Sequence, residues 1–171
     1  MARITFTTRT PGSPTPSPDL ATALPLPEGW YCLATSNEVA PGKLITRRLT
    51  GEDVVLYRLR DGAPKAIRPY CPHLGAHLGV GGRLEGDDLV CPFHHFAFAP
   101  NGACVRTGYG TPAPKARLTL LPVREQNGLI WVWCSHRDTP PTWEPLGIPT
   151  PEGIASPPRW VTADVNGHVQ W

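Results

Sequence analysis

The 171-residue sequence lacks any long apolar segment, and no run approaches the roughly 20 residues that a membrane-spanning helix needs. Its first 27 residues contain no apolar stretch of the length that a secretory signal peptide requires. We therefore expect a protein without a membrane span, located in the cytoplasm.

An excess of one charge sign is also missing, because 16 Lys and Arg residues balance 14 Asp and Glu residues, for a formal net charge of +2. Surfaces that bind nucleic acid or charged lipid usually need a stronger imbalance. Neither nucleic acid nor a membrane is expected as a partner, so partners have to be inferred from a site.

Long helix-forming runs are absent, and only 8% of the residues are aromatic, whereas 22 are proline and 17 are glycine. This composition favours short strands joined by turns. Strands are predicted at residues 30–35, 43–49, 53–59, 64–68, 96–99, 104–107, 117–124 and 129–133. Hairpin turns are predicted at Asp61-Gly62, Asn101-Gly102 and Asn127-Gly128. The predicted fold class is all-β and antiparallel, with residues 129–133 placed centrally because they are so apolar.

Proline content divides the chain into four parts. Residues 1–27 form a Pro/Ser-rich arm that cannot bury apolar area and is predicted to be disordered. Residues 28–136 form the main domain, and residues 137–159 are a Pro-rich connector. Residues 160–171 again resemble strands, and we interpret them as the first strands of a missing C-terminal domain.

Five cysteines without a signal peptide favour metal ligation over disulfides. Two of the five cysteines lie close to a histidine in short motifs, Cys71-Pro72-His73 and Cys91-Pro92-Phe93-His94. A Gly-rich insert separates the two motifs. Paired thiolates and imidazoles suit zinc or an iron–sulfur cluster. Zinc is disfavoured because its first two ligands are usually separated by about two to four residues. A structural role without metal also stays open.

The combination C-x-H and C-x-x-H around a Gly-rich insert resembles the Rieske [2Fe–2S] signature. The resemblance implies one [2Fe–2S] cluster in which Cys71 and Cys91 bind one iron and His73 and His94 the other, outer iron. It also implies a Rieske-type antiparallel β sandwich with a two-loop cluster-binding subdomain.

Neighbouring positions indicate the low-potential branch of this family. Respiratory Rieske proteins carry an extra cysteine in each motif, where this sequence has Ala76 and Phe93. They also carry a serine and a tyrosine that donate hydrogen bonds to cluster sulfur, where this sequence has Phe96 and Phe98. Because such bonds raise the potential, a midpoint of about −150 mV is expected.

The sequence resembles the N-terminal domain of Rieske non-haem iron oxygenases, and the pattern from Glu28 to Gly110 is similar to that of the steroid- and sterol-oxidising monooxygenases. This implies an oxidoreductase in which the cluster passes electrons to mononuclear iron. Such iron needs two histidines and a carboxylate, and downstream only Asp164 and His168 lie close together. The chain by itself is therefore expected to transfer electrons only.

The resemblance further implies a ferredoxin or flavin reductase as electron donor and a catalytic iron domain of the same or a neighbouring subunit as acceptor. A homotrimer is implied if the protein is a complete oxygenase. The alternative is a stand-alone Rieske ferredoxin or an accessory electron-carrier subunit.

The other polar candidates have simpler interpretations. His95 stands where oxygenases usually have glycine, and we expect an outer or surface group rather than a competing ligand. His77 is expected to pack in its loop. Surface positions are predicted for His136 and His168. Buried, non-ligating positions are predicted for Cys32, Cys104 and Cys134. A solvated sheet face, rather than a docking site for an acidic donor, is predicted for Arg47, Arg48, Arg58, Arg60 and Arg68.

Overall fold

The computed structural model describes residues 27–135 and 137–147. This part of the chain holds eleven short strands and one 3₁₀ turn, Ser36–Glu38, but no α-helix. The strands are β1 (Gly29–Thr35), β2 (Leu44–Leu49), β3 (Glu52–Arg58), β4 (Pro64–Ile67), β5 (Arg83–Glu85), β6 (Asp88–Val90), β7 (Ala97–Phe98), β8 (Cys104–Arg106), β9 (Leu120–Leu121), β10 (Val123–Gln126) and β11 (Leu129–Cys134). The all-β prediction is confirmed. Almost all of the predicted arm, the end of the connector, the last predicted strands, His136 and His168 lie outside the described residues.

The strands form three antiparallel sheets within the described residues. Sheet A has the order β1-β11-β10, sheet B the order β2-β3-β4-β9, and sheet C the order β5-β6-β7-β8. β11 is central in sheet A, as predicted, and its Ile130 and Val132 are fully buried.

β3 lies between two hydrophobic cores. Its Val54 and Leu56 belong to a core shared with sheet A, while Val55 and Tyr57 belong to a second core shared with sheet C. Because both faces of β3 are covered, apolar residues occupy successive positions and the alternation of a half-exposed strand is lost. The second core contains Cys71 and Cys91 and forms the floor beneath the two Cys/His motifs.

The turns between strands were predicted better than the short strands themselves. Asn127 and Gly128 both adopt positive φ, 54° and 75°, and join β10 to β11 as the Asn-Gly signal indicated. The hairpin of β5 and β6 inside the Gly-rich insert was not predicted, because strands of three residues carry no readable period. The single strand predicted at 117–124 is wrong: Pro122 separates β9 from β10, and these belong to different sheets.

The described part of the connector packs against sheet A without strand or helix. The indole N–H of Trp30 donates to the carbonyl of Trp143 at 2.7 Å, and that of Trp133 donates to the carbonyl of Thr139 at 2.9 Å. Side chains of two neighbouring strands thus fix residues 139–143.

Candidate metal centre

The two Cys/His motifs fold into loops of the same design, called here loop 1 (residues 71–76) and loop 2 (residues 91–96). The N–H of Cys71 donates to the carbonyl of Ala76, and the N–H of Cys91 donates to the carbonyl of Phe96, each at 2.9 Å. Both closures span the same number of residues. Loop 1 follows β4, while loop 2 connects β6 to β7, so two sheets place the loops side by side.

Both loops need a left-handed residue at the fourth position after the first. Loop 1 has Gly75 there, with φ of 71°, and loop 2 has His95, with φ of 54°. Left-handed backbone is strained for residues with a side chain, although histidine tolerates it better than most. His95 therefore occupies the backbone position that glycine fills in loop 1, and its side chain is exposed as predicted.

The two thiols at the start of the loops are buried, since Cys71 and Cys91 are each only 2% exposed. Burial is the main cause that raises the pKa of the Cys71 thiol to about 11, and the neighbouring Cys91 thiol adds to the rise. The backbone N–H groups of His73 and Leu74 act in the opposite direction. A cation at this position would have to displace the thiol proton, because the thiolate is the ligand form.

The imidazoles of the two loops face each other at the surface. The ring centroids of His73 and His94 are 4.9 Å apart, with their planes at 81°. Both side chains are half-buried, and the side chains of Leu74 and Phe93 next to them are exposed. The structure thus brings all four predicted ligand residues together, with sulfur inside and nitrogen outside.

A third segment, residues 107–110, covers loop 2 and was not singled out from the sequence. The N–H of Gly108 donates to the carbonyl of His94 at 3.0 Å. A Cβ on Gly108 would lie 2.4 Å from that same carbonyl oxygen, so only glycine allows this approach. The ring of Tyr109 then lies 5.9 Å from that of His94. The Gly-Tyr-Gly run was the available signal, but its contact with loop 2 is long-range.

Four other histidine and cysteine predictions can be compared with the structure. His77 packs at loop 1 as expected, with its Nε2 atom 3.2 Å from Asp53 Oδ2. Cys104 and Cys134 are buried, as predicted. Cys32 is exposed, so its predicted burial is wrong. The reason is that Tyr31 and Leu33, on either side of it in β1, pack against the core shared with β3, so Cys32 lies on the opposite, outer face of the strand.

Most of the predicted sheet-face arginines are paired with acidic groups. Arg47 binds Glu38 at 2.7 Å, and Arg58 binds Glu125 at 2.7 Å. Arg48 pairs with Asp53, Arg68 pairs with Glu52, and Arg60 is exposed. The exposed Arg48 and Arg60 fit a solvated sheet face, whereas the side chain of Arg58 is only 11% exposed and also donates to the carbonyls of Val39 and Gly62, so the solvated position predicted for Arg58 is wrong.

All five cysteines are free, so neither loop carries a disulfide. Within residues 27–135 and 137–147, no three His, Cys, Asp or Glu side chains form a group that could hold a single metal ion. In the same residues, no helix has the length and apolar character of a membrane span. The donors come instead as one pair of thiols and one pair of imidazoles, which matches a two-iron cluster with two protein ligands per iron.

Comparison with known proteins identifies a family and several relatives of this chain. The family model of the Rieske [2Fe-2S] domain matches residues 29–122. Cholesterol 7-desaturase nvd of Xenopus laevis is 36% identical over 151 residues, which are 84% of this chain and 32% of that protein. The oxygenase component of 3-ketosteroid-9-alpha-monooxygenase of Rhodococcus rhodochrous is 31% identical over 144 residues, 81% of this chain and 38% of that protein.

A solved structure is also similar to this chain. The crystal structure of dicamba monooxygenase bound to dicamba is similar with a TM-score of 0.56 and 34% identity, over 61% of this chain and 33% of that one. The match spans only 27% to 32% of the first curated relatives' lengths. The predicted resemblance to Rieske oxygenases, including sterol- and steroid-oxidising ones, is confirmed.

Proposed function

Because this chain belongs to the Rieske [2Fe-2S] domain family, we propose that Cys71 and Cys91 bind one iron, and His73 and His94 the other, of its single cluster. The observation that carries this proposal is the convergence of two buried thiols and two half-buried imidazoles, with ring centroids 4.9 Å apart. Mixed sulfur and nitrogen donors are the ligand set of a Rieske centre. The family match supports this cofactor over zinc.

The cluster supplies one-electron redox chemistry, and the protein residues determine where a partner can approach. The edges of His73 and His94 lie at the surface between the exposed side chains of Leu74, Phe93 and Tyr109. An apolar rim of this kind excludes water when a partner docks. Electron transfer is the general role of the family. We propose that the partner at this rim is a mononuclear non-haem iron domain of the same or a neighbouring subunit.

The similarity to oxygenase components supports this acceptor and the general class of oxidoreductase. We further propose a ferredoxin or flavin reductase as donor, a sterol-like substrate for the whole protein, and a homotrimer if the whole protein is an oxygenase. The alternative of a separate Rieske ferredoxin or accessory carrier predicts a different gene arrangement. An open reading frame after the codon for Trp171 that encodes two histidines and a carboxylate as iron ligands supports the oxygenase. A stop codon next to a separate oxygenase gene supports the carrier.

The domain bounds, the low potential and the cytoplasmic location remain predictions. Phe96 and Phe98 are both buried and offer no hydroxyl to cluster sulfur. A redox titration is therefore expected to give a midpoint near −150 mV, at the low end of the Rieske range. A clearly positive midpoint would contradict the assignment to the low-potential branch.

Electron paramagnetic resonance (EPR) of the dithionite-reduced chain tests the ligand proposal directly. Mixed histidine and cysteine ligation is expected to lower the average g value below that of clusters with four cysteines. His94→Ala should change the visible and EPR spectra, whereas His95→Gly, which suits the left-handed backbone at this position, should leave them unchanged. Unchanged spectra in His94→Ala, or lost spectra in His95→Gly, would show that the ligand set is wrong.

A further inference from the structure

Four aromatic rings form a closed cycle at the surface of the candidate metal centre. The ring centroids are 4.9 Å apart for His73 and His94, 5.9 Å for His94 and Tyr109, 6.1 Å for Tyr109 and Phe96, and 4.3 Å for Phe96 and His73. Within the cycle each imidazole contacts one aromatic ring besides the other imidazole, and His94 also has the exposed ring of Phe93 at 6.1 Å. His73 lies against buried Phe96, while His94 lies beside Tyr109, which is 59% exposed.

Tyr109 is the only member of this cycle outside the two loops, and its segment is fixed to loop 2 by the backbone. The N–H of Gly108 donates to the carbonyl of His94, where a side chain on Gly108 would not fit. On the other side of Gly108, Thr107 is buried and its hydroxyl lies 3.1 Å from the carbonyl of Thr111. The position of the Tyr109 ring is therefore set by contacts on both sides.

We infer that Tyr109 is a positioning residue that holds the His94 imidazole against His73 and shields it from solvent. The inference rests on the proposed function, in which both imidazoles bind iron. Groups that contact a ligating imidazole fix its orientation, and exposure to solvent is among the factors that set a cluster's potential. Without the Tyr109 ring, His94 loses its neighbour from the third segment, and Phe96 loses its contact on the same side.

The chain offers a matched control for this inference. Tyr70 is 61% exposed and its ring lies 5.6 Å from that of His77, so it is an exposed tyrosine beside an imidazole, like Tyr109. His77 is not a proposed ligand. If Tyr109 acts merely as a surface aromatic, loss of either tyrosine should have the same effect.

The test uses the full chain with its cluster and compares Tyr109→Ala, Tyr109→Phe and Tyr70→Ala. Tyr109→Ala is expected to broaden the EPR signal of the reduced protein, to shift the midpoint potential, and to speed the loss of cluster absorbance in air about ten-fold. That factor is the lower end of the effect of losing a group that orients a metal ligand. Tyr109→Phe keeps the ring and should match the wild type in all three measurements, as should Tyr70→Ala.

The outcomes separate this inference from the proposal on which it rests. A wild-type spectrum without the lowered average g value would overturn the ligand proposal itself. A wild-type Rieske spectrum that persists in Tyr109→Ala with the same line width and midpoint would overturn only the positioning role. So would equal effects of Tyr109→Ala and Tyr70→Ala. Tyr109→Leu keeps an apolar side chain of intermediate size without an aromatic ring, so its line width and midpoint test the positioning role if Tyr109→Ala fails to fold.

Discussion

Loop 1 and loop 2 close with the same hydrogen bond but are attached to the rest of the protein in different ways. Loop 1 is followed by His77, whose side chain pairs with Asp53 of β3. Loop 2 receives a backbone hydrogen bond from Gly108. A side-chain attachment tolerates small shifts, whereas a backbone contact without room for a methyl group does not. We therefore expect substitutions at the contacts of loop 2 to cost more stability than substitutions at those of loop 1, although the two loops have the same local structure.

The largest effect, loss of the cluster, should follow substitution of the first residue of either loop, where both loops have a buried cysteine. Cys71→Ser and Cys91→Ser each replace a buried thiol by a hydroxyl, which is a poor ligand for iron. Each variant is expected to lose the cluster, measured as iron and sulfide content and as visible absorbance. Cys104→Ser, at a buried cysteine outside the loops, is the control and should retain two irons per chain. A full cluster in either loop variant would exclude that cysteine as a ligand.

The second largest effect, a loss of stability on substitution of Gly108, should concern loop 2 alone. Gly108→Ala would place a Cβ 2.4 Å from the His94 carbonyl oxygen, and we expect a loss of about 3 kcal/mol in the free energy of unfolding, as for an overpacked site. The cluster spectrum should change as well, because the peptide group of His94 must move. The measurement is denaturant unfolding of the cluster-containing protein under nitrogen.

Gly110→Ala is the control for this substitution. Gly110 has φ of 71° and no atom within 4 Å of an added Cβ, so it tests backbone strain without a clash. A loss of about 1 kcal/mol and an unchanged spectrum are expected. Equal effects of the two variants would mean that segment 107–110 is not held tightly against loop 2.

The features that could be predicted from the sequence are those that depend on neighbouring residues, like the ligand spacing within each loop. The ligand candidates, the all-β class and the Asn-Gly turn at Asn127 depend on residues close together in the chain. Such local signals follow directly from ligand spacing and backbone preference. The all-β class and the turn at Asn127 are confirmed, and the structure places the four ligand candidates in two neighbouring loops, while their role as cluster ligands stays a prediction.

The features that were missed depend on distant partners. Exposure of Cys32 depends on which face of β1 the core covers, and the role of Gly108 follows from its distance to His94. The continuous apolar run in β3 could be recognised as doubly covered only when two cores were seen. A single sequence contains no record of which strands pair or how closely they approach.

A third prediction concerns the core that supports both loops and should affect them equally. Tyr57 is fully buried there, and its hydroxyl has no hydrogen-bond partner among the described residues. Burial raises the pKa of Tyr57 from 10.0 to about 12. Between these values the unfolded chain loses the phenol proton while the folded protein keeps it, so stability should fall as pH rises, by about 3 kcal/mol in all.

Tyr57→Phe removes both the buried hydroxyl and this titration. It should raise the free energy of unfolding by about 1 kcal/mol at pH 8 and weaken the loss of stability between pH 10 and 12. The measurement is denaturant unfolding at several pH values, with EPR as a check that both loops are unchanged. A wild-type slope above pH 10 in Tyr57→Phe would show that other groups cause the decline.

The smallest effect on stability should come from the left-handed position of the loops, where loop 1 has Gly75 and loop 2 has His95. His95→Gly relieves the strain of φ 54°, which costs up to about 1–2 kcal/mol for a residue with a side chain. Glycine has more freedom to lose on folding, about 0.5–1 kcal/mol, so a net gain of about 0.5 kcal/mol is expected. Denaturant unfolding measures it.

Gly75→Ala makes the opposite change in loop 1, where φ is 71° and no atom lies within 4 Å of the new Cβ. Strain should then cost about 1 kcal/mol without a clash. If the two loops are equivalent in backbone, the signs of these two effects must be opposite. A clear loss of stability in His95→Gly would instead mean that the imidazole makes a contact that loop 2 needs. Histidine would then be present at this position for its side chain, despite its backbone strain.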